Sequence, residues 1–154
     1  MKCELIFVGK TSEKYLKEGI EIYISRLRHY LNVSVSYIQA SQAADTSRGR
    51  EEESERIIRT IKPRDLIILL DEKGRELDSV QFAEQMQKWM SRGFARILFI
   101  AGGAYGFTDE LRSKADFILS ASKFTFTHQM VRLIIAEQLY RAMTIIRNES
   151  YHHS

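Results

Sequence analysis

Three stretches of the chain, and its last residues, carry groups that could do chemistry. LLDEKG, residues 69–74, takes an apolar run into a turn through Asp71 and Gly74. IAGGAYGF, residues 100–107, follows a second apolar run and holds three glycines, Gly102, Gly103 and Gly106. Glycine lets a backbone approach a ligand closely. The pattern is not GxGxxG, and no GK[ST] follows, so neither a dinucleotide fingerprint nor a phosphate loop is present. A ligand-binding loop and a plain tight turn both stay open. LSASKFTFTHQMVRL, residues 119–133, offers hydroxyls and extended backbone ahead of a helix, with His128 near the helix start. There the positive end of the helix dipole disfavours an imidazolium, although a capping or packing role is the simpler reading of His128. Further along, Glu137 and Arg141 stand four apart and can pair on the helix surface. Arg132 and Arg141 are candidates for phosphate contact. The chain ends in RNESYHHS, which puts Tyr151, His152 and His153 where a frayed end is the norm.

These groups need elements to place them. ELIFV, residues 4–8, reads as a buried strand. Thr11 or Ser12 can cap a helix running to about His29. VSVSYI, 33–38, alternates and is β-branched, a second strand. SQAADTSRGREEE reads as a polar loop passing into a charged helix over roughly 50–61, which Pro63 ends. DLIILLDEKG is a third strand broken by Gly74. Asp78 starts a helix to Met90 with Phe82, Met86 and Trp89 on one face. A fourth strand spans about 95–100. Thr108 caps a short helix from Asp109, residues 116–120 form a fifth strand, and a long helix runs from about His128 to Arg147. Strands alternating with helices predict one α/β domain over 1–154, a parallel sheet with helices on its faces. In such sheets ligands sit beyond the C-terminal strand ends, and all three stretches lie there. The last helix is apolar nearly all round, so it packs on the sheet with one side and on a second chain with another. A homodimer follows.

The totals narrow the function classes. Lys plus Arg is 23 and Asp plus Glu 20, a net charge of +3, which permits an anionic partner without demanding one. The single cysteine, Cys3, lies in an apolar run and is read as a small buried hydrophobe. Its lack of a disulfide partner fits a reducing, cytoplasmic setting. MKCELIFVGK does not read as a signal peptide, and no apolar run is long enough for a membrane span. No His, Cys or carboxylate cluster has metal-ligand spacing, so no metal is expected.

Taken together, ELIFVGK, LLDEKG, IAGGAYGF, LSASKFTFTHQMVRL and EQLYRAMTIIRNESYHH resemble the ribosomal RNA large subunit methyltransferase H family, SPOUT-class enzymes, over nearly the whole chain. The resemblance implies an α/β knot whose C-terminal segment threads a trefoil. It also implies a homodimer that transfers methyl from S-adenosylmethionine to N3 of a pseudouridine in 23S ribosomal RNA, acting on assembled ribosomes. Carried over by position, the cofactor site takes Leu70, Gly103, Ser122, Lys123, Phe124, Thr125, Phe126 and Thr127. RNA contacts fall to Arg132, Arg141, Tyr151, His152 and His153, with the tail reaching the partner's cofactor. The proton acceptor is left open among His128, the terminal histidines such as His152, a water and an RNA phosphate. The sequence departs from the family at Thr127 and Ser150, where proline is common, and at Ala101, where isoleucine is common. His153 stands where a fixed cation is usual, which puts a titratable ring in its place.

Overall fold

The computed structural model describes residues 1–153. Five strands, β1 (Lys2–Val8), β2 (Asn32–Ile38), β3 (Asp65–Glu76), β4 (Arg96–Ala101) and β5 (Phe117–Ser120), form one sheet in the order β2-β1-β4-β3-β5. Every pairing is parallel. Five helices connect them: α1 (Lys14–Leu27), α2 (Thr46–Ile58), α3 (Ser79–Met90), α4 (Asp109–Lys114) and α5 (Met130–Ile146).

Strand alternation divides the core into two layers. Leu5, Phe7, Leu66, Ile68, Ile97 and Phe99 face one side, where they meet α1, α3 and α5 through residues such as Ile24, Trp89 and Leu139. Ile6, Val8, Ile67, Leu69, Leu98 and Ile100 face the other, against Ile57 of α2 and Leu111 of α4. Burial on both faces is why these strands read as continuous apolar runs. At the sheet end where the strands begin, Arg96 is gripped by Asp65 at 2.5 Å, Glu4 at 2.8 Å and the Thr60 carbonyl at 2.9 Å. That leaves the opposite end, where the strands finish, for a ligand.

Local boundaries differ from expectation in three places. Thr11 and Ser12 do not cap α1, which starts at Lys14. The Thr11 hydroxyl instead accepts from Arg132 at 2.9 Å. Helix α2 begins at Thr46 rather than near residue 50, because the Asp45 carboxylate accepts the Arg48 N–H at 3.0 Å. Strand β3 is not ended by Gly74. It bulges between Leu70 and Arg75 and pairs again with β5 through Arg75 and Glu76. The α3 start is as expected, with Asp78 and Gln81 forming a reciprocal capping box.

From edge strand β5 the chain crosses the sheet end as an irregular segment before entering α5. Gln129 fixes its landing point, accepting the Ser12 N–H at 2.9 Å and donating to the Lys10 carbonyl at 3.1 Å. Helix α5 then packs between α1 and α3. This return path over the strand ends is consistent with a C-terminal knot.

Candidate active site

The ends of β3, β4 and β5 enclose a cleft of about 290 Å³, near the lower limit of ~300 Å³ for small-molecule sites. Its walls come from Leu70–Glu72, from the glycine loop Ala101–Phe107 and from the segment between Ala121 and Val131. Of the expected cofactor residues, Leu70, Gly103, Ser122, Phe124, Thr125 and Phe126 line it, and so does His128. Lys123 and Thr127 do not. The Thr127 hydroxyl accepts the Met130 N–H at 3.2 Å and so holds the first turn of α5. Ser122 Oγ accepts the Phe124 N–H at 3.0 Å, and Thr125 Oγ1 donates to Glu72 at 3.0 Å. Hydroxyl side chains thus shape a loop that has no ladder of its own.

Two acids stand at the cleft, Asp71 of the LLDEKG turn and Glu72, which the sequence did not single out. Asp71 pairs with Arg112 at 2.6 Å, and Glu72 receives Thr125. They sit at the bulge of β3, just past Leu70 where its pairing with β4 ends, and that position beyond the sheet's edge is the signal that marks them. His128 titrates below its ordinary value, because partial burial penalises the imidazolium and the Arg132 guanidinium repels it. The neutral ring therefore predominates at physiological pH.

Arg132 is not where an RNA contact must be. It is fully buried, with Nη2 donating to the Val8 carbonyl at 2.6 Å and Nη1 to Thr11, and its guanidinium lies over Phe7. The side chain latches the start of α5 to the end of β1. A sequence reader sees a helical arginine as a surface cation; only the crossing of β1 beneath α5 removes it from the surface.

Arg141, Tyr151 and His152 do come together, at the other end of α5. Glu137 Oε1 accepts from Arg141 at 2.6 Å and from the Tyr151 hydroxyl at 3.1 Å. The Arg141 guanidinium lies over the Tyr151 ring and meets His152 Nδ1 at 3.1 Å. Burial and the Glu137 and Tyr23 contacts push the Tyr151 phenol well up, so it stays protonated. Asn148, with φ of 54°, turns the chain back, and the Glu149 N–H reaches the Thr144 carbonyl at 2.8 Å. Glu149 also takes the Tyr30 hydroxyl at 2.6 Å. The tail is thus folded onto its own helix, while His153 is exposed. Thr144 is fully buried at this end of the helix.

Along α5 the two groups are well separated. Arg141 follows Met130 by eleven residues, about 16 Å at ~1.5 Å per residue. None of Arg141, Tyr151 or His152 lines the cleft.

A family model described as "Predicted SPOUT methyltransferase" matches residues 1–152. The chain is 42% identical to the ribosomal RNA large subunit methyltransferase H of Trichlorobacter lovleyi, over 99% of this chain and 100% of that one. It is 43% identical to the protein of the same name from Cytophaga hutchinsonii, again over 99% and 100%. Among solved structures, a probable methylase family protein from Haemophilus influenzae aligns with a TM-score of 0.54 at 12% identity, covering 99% of this chain and 70% of that chain. That likeness bears on the fold alone.

Proposed function

Because the chain belongs to the SPOUT methyltransferases, within the ribosomal RNA large subunit methyltransferase H family, we propose that it methylates N3 of a pseudouridine in 23S ribosomal RNA. S-adenosylmethionine is the donor, and the assembled ribosome in the cytoplasm is the substrate. The observation that carries this reading is the cleft at the ends of β3, β4 and β5.

The residues present suit that cofactor. Leu70, Ala101, Phe107, Ala121 and Val131 supply apolar walls for a flat adenine. The glycine loop and the Ser122–Phe126 segment supply backbone amides and carbonyls for its edge. Glu72 puts negative charge at the cleft, which complements a cationic ligand, whereas the charge of Asp71 is offset by Arg112. Bound there, the cofactor supplies an electrophilic methyl on a sulfonium. The protein's own task is to place the base in line and to accept the N3 proton.

His128 is the group for that proton. Its ring borders the cleft and is held neutral by burial and by Arg132. His152 is suited to another role. An arginine only donates, so Arg141 facing Nδ1 assigns the hydrogen of the neutral ring to Nε2. His152 thereby presents a donor, fit for a phosphate or carbonyl oxygen of RNA. Tyr151, fixed by Glu137, offers a ring on which a base can stack.

The length of α5 keeps cleft and tail apart in one chain, so the working site is composite and a homodimer assembles it. A second groove of about 280 Å³ supports the dimer. It lies between α3 and α5 and is bordered by Leu77, Leu119, Val131 and Ile134.

Mass spectrometry of 23S ribosomal RNA from a strain lacking this protein tests the reading. One methyl group on a pseudouridine is expected to vanish and to return on complementation. An unchanged modification pattern contradicts it.

A further inference from the structure

We propose that Glu53 is a positioning residue for the cofactor loop, and that α2 is the bed on which residues 103–108 rest. This inference deepens the methyltransferase reading and rests on it. The acidic run Glu51–Glu53 reads as a solvated helix face. The structure buries Glu53 to 2% exposure. One carboxyl oxygen accepts the Ser41 N–H at 2.9 Å, and the other, Oε1, has no hydrogen-bond partner among the described residues. A buried acceptor without a donor is costly, and an apolar side chain would fill the space without that cost.

What Glu53 presses on is the glycine loop. A Cβ on Gly103 would lie 3.1 Å from Oε1 and 3.3 Å from Val8 Cγ1. The carboxyl therefore packs directly behind the residue whose front borders the cleft. A side chain at 103 would press on this carboxyl and on Val8, which would have to give by a few tenths of an ångström, independently of any ligand.

Three neighbours on α2 hold the same loop. Gly49 faces Tyr105, whose ring would lie 2.7 Å from an added Cβ. Arg50 Nε donates to the Tyr105 carbonyl at 2.8 Å, and Ser54 Oγ accepts the Thr108 N–H at 3.0 Å. Positions 49, 50, 53 and 54 form one face of the helix. They support a stretch that lacks regular pairing, so packing from behind decides how far its backbone stands into the cleft. A misplacement of about 1 Å in a site is worth about a hundredfold. Burial also raises the pKa of Glu53, which favours its neutral form, in which glutamine is its near-isostere.

The test is steady-state kinetics of the full chain on ribosomes, with S-adenosylmethionine as the varied substrate, for wild type, E53Q, E53D and E53A. E53Q keeps the shape and should hold the KM for S-adenosylmethionine within about threefold. E53D withdraws the carboxyl by one methylene and E53A removes it. Both should raise that KM about tenfold or more while leaving the KM for ribosomes within about twofold. The inference is overturned if E53D and E53A keep the wild-type KM, or if E53Q is as impaired as E53A. It is equally overturned if both KM values rise together, which marks general loss of structure. Should E53A not fold, E53D against E53Q decides alone. Failure of the wild type to bind S-adenosylmethionine by calorimetry is a separate result that removes the methyltransferase reading itself.

Discussion

The two ends of α5 are made of different materials. The N-terminal end borders a cleft of glycine backbone, apolar walls and hydroxyls, with His128 beside it. The C-terminal half, with the tail folded back on it, carries Arg141, Tyr151 and His152, which meet Glu137 at mid-helix in one charged and aromatic cluster, with Arg147 over Tyr30 nearby. The first suits a small, flat, largely apolar cofactor that must be gripped closely. The second suits an anionic polymer met at a surface, where cations position it and rings stack on its bases. One helix fixes both ends, and its rigidity keeps them from meeting within a chain.

The contrast can be tested from either end. The largest effect is expected at the cleft. His128→Asn should lower kcat on ribosomes about a hundredfold or more, the range of a lost general base, while calorimetry shows cofactor affinity nearly unchanged. The wild-type rate should fall on acidification as His128 protonates, with an apparent pKa below the ordinary 6.5, and the variant should lose that limb. The sign for stability is the same. A histidine whose folded pKa is depressed contributes stability that is complete above its unfolded pKa and is lost as pH falls towards the folded value.

A smaller effect is expected at the tail. Glu137→Ala frees Arg141 and Tyr151 together, and should weaken ribosome KM about tenfold, within the ~1–3 kcal/mol range of one stacked base. Cofactor affinity should stay at the wild-type level. A Glu137 variant that loses the cofactor instead would erase the distinction between the two ends.

The smallest effect on ribosome binding is expected at Arg132, which holds the start of α5. Arg132→Met should leave ribosome KM within about twofold and lower the melting temperature, because the Val8 carbonyl loses a charged donor worth roughly 1.5–3 kcal/mol. A large rise in ribosome KM with an unchanged melting temperature would return Arg132 to the RNA surface.

Much of this was legible in the sequence. Apolar runs buried on both faces gave away the parallel sheet, and Asp78 and Thr108 announced their helices through their caps. The glycine loop and the 119–133 stretch stood out as candidates because ligand sites follow strand ends, and the individual cofactor residues came from the family resemblance. What stayed hidden depended on distant contacts. Gly49 sits inside α2 although glycine disfavours helix interiors, and the Tyr105 ring occupies the space a side chain there would need. Arg132 reads as a candidate phosphate contact, and its burial against β1, like that of Glu53 against the glycine loop, is invisible to local pattern. The tail's hydrogen bond to Glu137 spans fourteen residues across a turn at Asn148, which no helical period encodes.

Mixed dimers test the central claim, that cleft and tail serve each other across two chains. One chain carries Gly103→Leu, whose side chain drives the glycine loop off Glu53 and Val8 and so disables the cleft, with an intact tail. The other is truncated after Asn148, with an intact cleft and no tail. Each alone should be inactive on ribosomes, and the truncated chain should still bind S-adenosylmethionine. Co-expressed in equal amounts, half the dimers are mixed and each holds one working site, so about a quarter of wild-type activity should return. A mixture that forms dimers yet stays inactive, or a truncated chain that methylates ribosomes alone, contradicts the composite site.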